Sequence, residues 1–206
     1  IKSDKERKMP ADLTEAEVSI KKGGHWEDNE YIGGDFVNVE ELRVPDEHTD
    51  HSYYIRYEGP GWESDKIGYR FYLDWRNATD IFGKKVDTTV LEKVGQDNFD
   101  SYHEPAPWGI DVLKIGESLG ICSIGYWHHG QANRVAETDS TYCSVYDGTV
   151  QSAVQTDYYG WKTEDFKSNL HSTLLIHTGT RLTKHHLKLE KQIDNITAFN
   201  NHLHTS

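Results

Sequence analysis

The chain is short of several features that commonly announce a function. One methionine, two cysteines and five prolines occur in 206 residues. No apolar run approaches the roughly 20 residues of a membrane-spanning helix, so no membrane span is expected. Basic residues are scarce: 22 Lys and Arg face 34 Asp and Glu, a formal net charge of −12. Such a surface repels phosphate backbones, so nucleic acid is not an expected partner. No Walker-type phosphate loop and no dinucleotide-binding glycine pattern occurs, which argues against NTPases, kinases and Rossmann dehydrogenases. HExxH, paired CxxC and EF-hand spacings are absent too. The N-terminus, Ile1, carries neither a methionine nor a signal peptide, and reads as processed or truncated.

Hydrophobic residues make up only 35% of the chain, whereas aromatics reach 12% and include six Trp. Rings must therefore supply much of the burial, and rings also stack on sugars. Short apolar clusters with turn signals every eight to twelve residues predict strands, and no long amphipathic helical window follows residue 80. Expected strands are 51–62, 66–76, 110–115, 119–127, 132–137, 141–147, 149–158, 170–177 and 181–190, with a short one around Phe36, Val37 and Val39. In 66–76 Tyr69, Phe71 and Leu73 take one face, and Arg70, Tyr72 and Asp74 the other. Thr14 with Glu15-Ala16-Glu17 either caps a short helix or begins a strand that runs into Gly23-Gly24. The pattern is that of an all-β, antiparallel β-sandwich forming a single domain over 1–206. Cys122 and Cys143 lie in strand-like segments, either bridged in an oxidising compartment or buried as free thiols.

Five clusters could carry chemistry. Residues 54–76 bring together Arg56, Arg70 and Arg76, forks for a carboxylate or sulfate, with Trp62, Tyr69 and Asp74. Cross-strand ion pairs explain the same pattern without a ligand. In 100–114, Tyr102 and His103 precede two prolines and Trp108 on a loop; imidazole suits general acid or base work near neutral pH. Trp127 and His128 close a strand at a glycine turn. Trp161 belongs to the ring-rich segment 157–162. Arg181, His185 and His186 share one strand, where neighbours point opposite ways. In 46–51, "DEHTDH" offers Asp46, His48, Asp50 and His51. His48 and Asp50 would share a face of a strand and could ligate a divalent metal. No other cofactor is expected.

The segments "HSYYIRYEGPGWESDKIGYRFYLDWRNATDIFGKK", "DSYHEPAPWGIDVLKIGESLGICSIGYW" and "YYGWK" resemble a bacterial family known as a domain of unknown function. Its members sit in polysaccharide-utilisation loci of marine and gut Bacteroidetes, and one type is an oligosaccharide dehydratase of ulvan breakdown. The resemblance spans most of residues 20–196. Family members are typically longer on the N-terminal side, so an incomplete chain is expected. The resemblance implies a galactose-mutarotase-like or lyase-like supersandwich. It also implies a periplasmic or extracellular carbon–oxygen lyase that eliminates water, or a glycosyl group, from uronate-containing oligosaccharides. The residue types such chemistry needs are His, Tyr and Arg. The expected catalytic set is His103, Tyr102, Arg56, Arg70, Arg76 and His128. The expected substrate-binding set is Trp62, Tyr69, Asp74, Trp108, Trp127 and Trp161. A non-catalytic carbohydrate-binding module and a glycoside hydrolase are the alternatives.

Overall fold

The computed structural model describes residues 13–97, 101–121, 123–191 and 196–198. Strands β1 (Thr14–Lys22), β2 (His25–Glu27), β3 (Glu30–Ile32), β4 (Asp35–Val39) and β5 (Glu41–Arg43) precede a long irregular segment. Then come β6 (Gly61–Ser64), β7 (Ile67–Phe71), β8 (Thr79–Lys84) and, after a second long loop, β9 (Gly109–Asp111). The remaining strands are β10 (Ile124–His128), β11 (Gln131–Arg134), β12 (Ser140–Tyr146), β13 (Gln151–Lys162), β14 (Lys167–His177), β15 (Thr183–Leu189) and β16 (Ile196–Ala198). Three short 3-10 turns are the only helical elements among the described residues.

A six-stranded sheet in the order β4-β1-β6-β7-β8-β9 faces a five-stranded sheet in the order β15-β14-β13-β12-β5, and every strand pairing in them is antiparallel. Ala16, Val18, Trp62, Tyr69 and Phe71 from the first sheet meet Leu42, Cys143, Val154, Tyr158, Trp161, Leu170, Leu174 and Ile176 from the second in one apolar core. This is the expected β-sandwich. Strand β14 shows why the reading worked: its even-numbered residues from Ser168 to Ile176 are buried, and the odd ones are not. That is the period of a half-buried strand. In β13 the period slips. The register shifts between Tyr158 and Trp161, so both rings reach the core from positions that a regular strand would place on opposite faces. Gly160 makes the slip possible, with φ +65° and no room for a side chain beside the Asp139 carboxylate.

The outer face of the first sheet is covered rather than wet. Tyr57, Phe82, Val90, Leu91, Val94 and Tyr102 form a second apolar cluster there. Of the segment 51–62, expected as a strand, Gly61 and Trp62 do belong to β6, but residues 51–60 form an irregular stretch with a 3-10 turn at Arg56–Glu58. His51, Tyr53, Tyr57 and Glu58 all have positive φ, which no strand can accommodate. Gly59 lies so close to the Phe71 carbonyl that a Cβ would fall 1.7 Å from it. The segment is thereby clamped over β7.

Cys143 is a buried free thiol in the core, where burial pushes its pKa up. Cys122 lies outside the described residues. Among the described residues no helix is long and apolar enough to cross a membrane.

Candidate active site

Burying the outer face of the first sheet also buries charge. Glu17, Gly61, Arg70 and Asp80 stand in register across β1, β6, β7 and β8. Arg70 and Asp80 are thus directly opposed neighbours, the arrangement in which cross-strand ion pairs form. Asp111 of β9 is paired with Phe82 of β8, two residues from Asp80 on the same face. Arg70 is 2% exposed. Its Nε and Nη2 donate to Asp80 Oδ2 at 3.1 and 2.7 Å, Nη2 also to Asp111 Oδ2 at 2.7 Å, and Nη1 to the Tyr102 hydroxyl at 2.9 Å. Tyr72 donates to Asp80 Oδ2 at 2.8 Å. Arg76 forms a second node: it is bonded to Asp74, its Nη2 lies 3.0 Å from Glu58 Oε1, and its Nη1 lies 3.0 Å from Asp50 Oδ1.

These two guanidiniums floor a cleft of about 630 Å³ lined by Asp50, His51, Glu58, Arg70, Tyr72, Arg76, His103, Asp111 and the segment Val112–Gly116. Two histidines stand on its wall, each beside a carboxylate. His103 Nδ1 is 3.4 Å from Asp111 Oδ2, and His51 Nδ1 is 2.8 Å from Asp50 Oδ1. Asp111 stands out among the acids of this cleft. Burial raises its pKa from 3.8 to about 6, Arg70 opposing and Asp80 reinforcing the rise. Burial likewise raises Asp50. Glu58 is held below the usual range: its burial would raise it, but Arg76 leads the groups that outweigh that effect. Positive φ at His51, Glu58 and Asn77 concentrates backbone strain around this cleft.

Arg70, Arg76, His103 and Asp74 therefore converge at or beside one cleft, but the roles expected of the arginines shift. Each nitrogen of Arg70 and Arg76 is already engaged by the protein's own groups, so they act first as clamps on Glu58, Asp80 and Asp111. Tyr102 is fully buried behind Arg70, with its pKa raised chiefly by burial, which makes it a poor proton donor to a ligand. Arg56 is elsewhere, 1% exposed, bonded to the Leu91 and Val94 carbonyls and 2.6 Å from Glu17. His128 lines a different cleft, with Glu164 and Lys162.

Most of the expected stacking rings have no free face. Trp62 is stacked on Tyr69 in the core, with centroids 5.4 Å apart, and its Nε1 donates to Thr183 Oγ1. Tyr69 donates to the Arg181 carbonyl. Trp161 is packed edge-on against Phe166. Trp108 is partly buried against Phe82. Of the six expected binding residues, only Trp127, 50% exposed, presents its ring to solvent.

His48, weighed with Asp50 as a metal ligand, belongs to neither cluster of metal-ligating groups among the described residues; it is buried, its Nδ1 2.7 Å from Ser52 Oγ. Asp50, His51 and Glu58 do bring ligand atoms within 4.8 Å of one another, but Arg76 already occupies both carboxylates. Sequence reasoning missed Asp80 and Asp111, gave Glu58 of the 54–76 cluster no role of its own, and weighed His51 only as a metal ligand. Gly116-Glu117-Ser118-Leu119-Gly120 has the GxSxG spacing of a nucleophile elbow. Ser118, however, sits on an exposed turn and donates to the Ile115 carbonyl. Among the described residues no helix follows it.

The family described as "Domain of unknown function (DUF4861)" matches residues 1–204. No curated protein matches the chain, and no solved structure matches it either.

Proposed function

We propose, for this chain that belongs to the DUF4861 family of domains of unknown function, that the Arg70–Arg76 cleft eliminates water or a glycosyl group from uronate-containing oligosaccharides. The observation that carries the reading is the pair of histidine–carboxylate dyads, His103–Asp111 and His51–Asp50, on the wall of one cleft floored by two buried guanidiniums. β-Elimination next to a carboxylate needs a base for the α-proton, an acid for the departing oxygen, and positive charge for the enediolate that develops. The two imidazoles supply base and acid. Arg76 supplies the charge, because its Nη1–Asp50 contact involves the least buried of its carboxylates. A substrate carboxylate can displace Asp50 there without uncovering Glu58 or Asp74. Lys114 at the rim adds a further cation.

The resemblance to proteins of polysaccharide-utilisation loci, including an ulvan oligosaccharide dehydratase, supports the choice of an acidic saccharide fragment as substrate. Such a substrate is met in the periplasm or outside the cell, which is where we place the protein. Incubation with ulvan, pectin and alginate oligosaccharides tests the proposal by mass spectrometry. Loss of one water with the chain length unchanged indicates a dehydratase. Cleavage that leaves an unsaturated uronate indicates a lyase. Replacing His103 by Ala lowers the rate about 10²- to 10⁴-fold if it transfers a proton. Binding of these sugars with no turnover, unaffected by His103→Ala, supports a carbohydrate-binding module instead.

A further inference from the structure

A second cluster lies away from this cleft, at the β10–β11 hairpin. His128 ends β10, and its Cα partner Gln131 begins β11, leaving a two-residue loop, His129-Gly130. Both loop residues have positive φ, +50° and +79°, as a type I′ hairpin turn requires. In a strand, successive side chains point to opposite faces. The turn cancels that alternation, and the two imidazoles lie with ring centroids 3.8 Å apart. Glu164, from the β13–β14 connection, reaches both: its Oε2 is 3.2 Å from His128 Nε2 and 3.9 Å from His129 Nε2. The three ligand atoms lie within 4.8 Å of one another.

The other nitrogen of His128 is also accounted for. Nδ1 is 2.9 Å from Asp165 Oδ2, and the same carboxylate accepts a hydrogen bond from the Tyr126 hydroxyl. A carboxylate on Nδ1 fixes the tautomer in which Nε2 carries the free lone pair, an arrangement that recurs behind metal-ligating histidines. We propose that His128, His129 and Glu164 bind one divalent transition-metal ion of the zinc type, with Asp165 and Tyr126 holding His128 in its ligating tautomer. Two imidazoles and a carboxylate are the donor set of open zinc sites, which keep a fourth position for water or a ligand. Bonds of about 2.0–2.1 Å place tetrahedral ligand atoms about 3.3 Å apart, so His128 and Glu164 are already at that separation and His129 needs a small rotation. The three ligands line a cleft of about 350 Å³ together with Gln131, Asn133, Arg134 and Lys162, which leaves room for a fourth ligand. Imidazole ligation disfavours magnesium and calcium, which take oxygen donors.

The test uses the full chain, stripped with chelator, dialysed and titrated with zinc chloride in a calorimeter. Wild type takes up one equivalent. His129→Ala, on an exposed turn where folding is not at stake, weakens that equivalent at least tenfold, and His128→Ala does the same. Asp165→Asn weakens it about 10- to 100-fold with every direct ligand still present. His177→Ala, a change at an exposed histidine at the end of β14, has no effect. Cobalt(II) bound to wild type shows the visible absorption of a tetrahedral centre, and magnesium is not taken up. Zinc binding by His129→Ala as tight as by wild type overturns the proposal, as does the absence of any stoichiometric zinc site in wild type.

Discussion

Replacing Asp111 by Asn separates the cost of the buried charge from its use. The Asp111 side chain is 3% exposed, and its pKa is raised from 3.8 to about 6. At about 1.4 kcal/mol for each pKa unit, ionising this carboxyl in the folded protein costs about 3 kcal/mol more than in the unfolded chain. The sign follows from the raised value. The contribution is fully favourable below about pH 4, is lost as pH rises through about 6, and is flat above that. Asparagine carries no such dependence. It does bring a mismatch of its own, because Asp111 accepts from both Arg70 Nη2 and the Leu113 amide, and an amide has one acceptor oxygen. That mismatch costs about 1–2 kcal/mol. Asp111→Asn is therefore expected to be less stable than wild type by about 1–2 kcal/mol near pH 4, and more stable by about 1 kcal/mol near pH 8. Urea denaturation at the two pH values measures this directly. The same variant deprives His103 of its neighbouring carboxylate, and its elimination rate should fall about 100-fold or more. Equal stability differences at both pH values would show that the Asp111 carboxyl is not perturbed as argued, and a variant as active as wild type that it is not used.

Other perturbations probe the rest of the structure. Arg70→Met leaves Asp80 and Asp111 buried without their cation and should lower unfolding free energy by about 3–5 kcal/mol near neutral pH. Acidification should recover part of this in a urea titration, as Asp111 takes up its proton. Trp62→Ala opens a cavity in the core and should cost about 3–5 kcal/mol, read from the denaturation midpoint. Since the indole has no exposed face, the affinity of the folded variant for oligosaccharide should be unchanged. Glu15 is raised to about 8, by burial first and by Glu63 and Glu17 next. Wild-type stability should thus decline as pH rises from about 5 to about 9, and Glu15→Gln should flatten the decline in thermal unfolding.

The second sheet was legible because β14 and β15 alternate over long stretches, and the expected strand 66–76, which ends at Phe71, was read correctly as two-faced. Tyr69, Phe71 and Leu73 do enter the apolar core, while Arg70 and Tyr72 enter the ionic cluster. Segment 51–62 misled because it has the aromatic, β-branched composition of a strand. Its path is set by contacts remote in sequence, such as Arg56 with Glu17 and with the Leu91 and Val94 carbonyls. Strand β8 was missed because "TDIFGK" looks polar, yet Asp80 is fully buried in it. Nothing local distinguishes a buried aspartate from a solvated one. Only the pairing of β8 with β7 and β9 reveals that Asp80 and Asp111 share one arginine. The tryptophans misled for the opposite reason: abundant rings suggested a sugar platform, but a chain with so few aliphatic residues spends them on its core.

The two-faced character of β7 also governs how the sheet can assemble. A slip of one residue would carry Arg70 into the apolar interior and turn Tyr69 and Phe71 toward the carboxylates. An unpaired guanidinium in the core and uncovered acids outside would then arise in the same step. The ion cluster is thus a lock on strand alignment, and the cleft needs no separate device to be assembled in its working geometry.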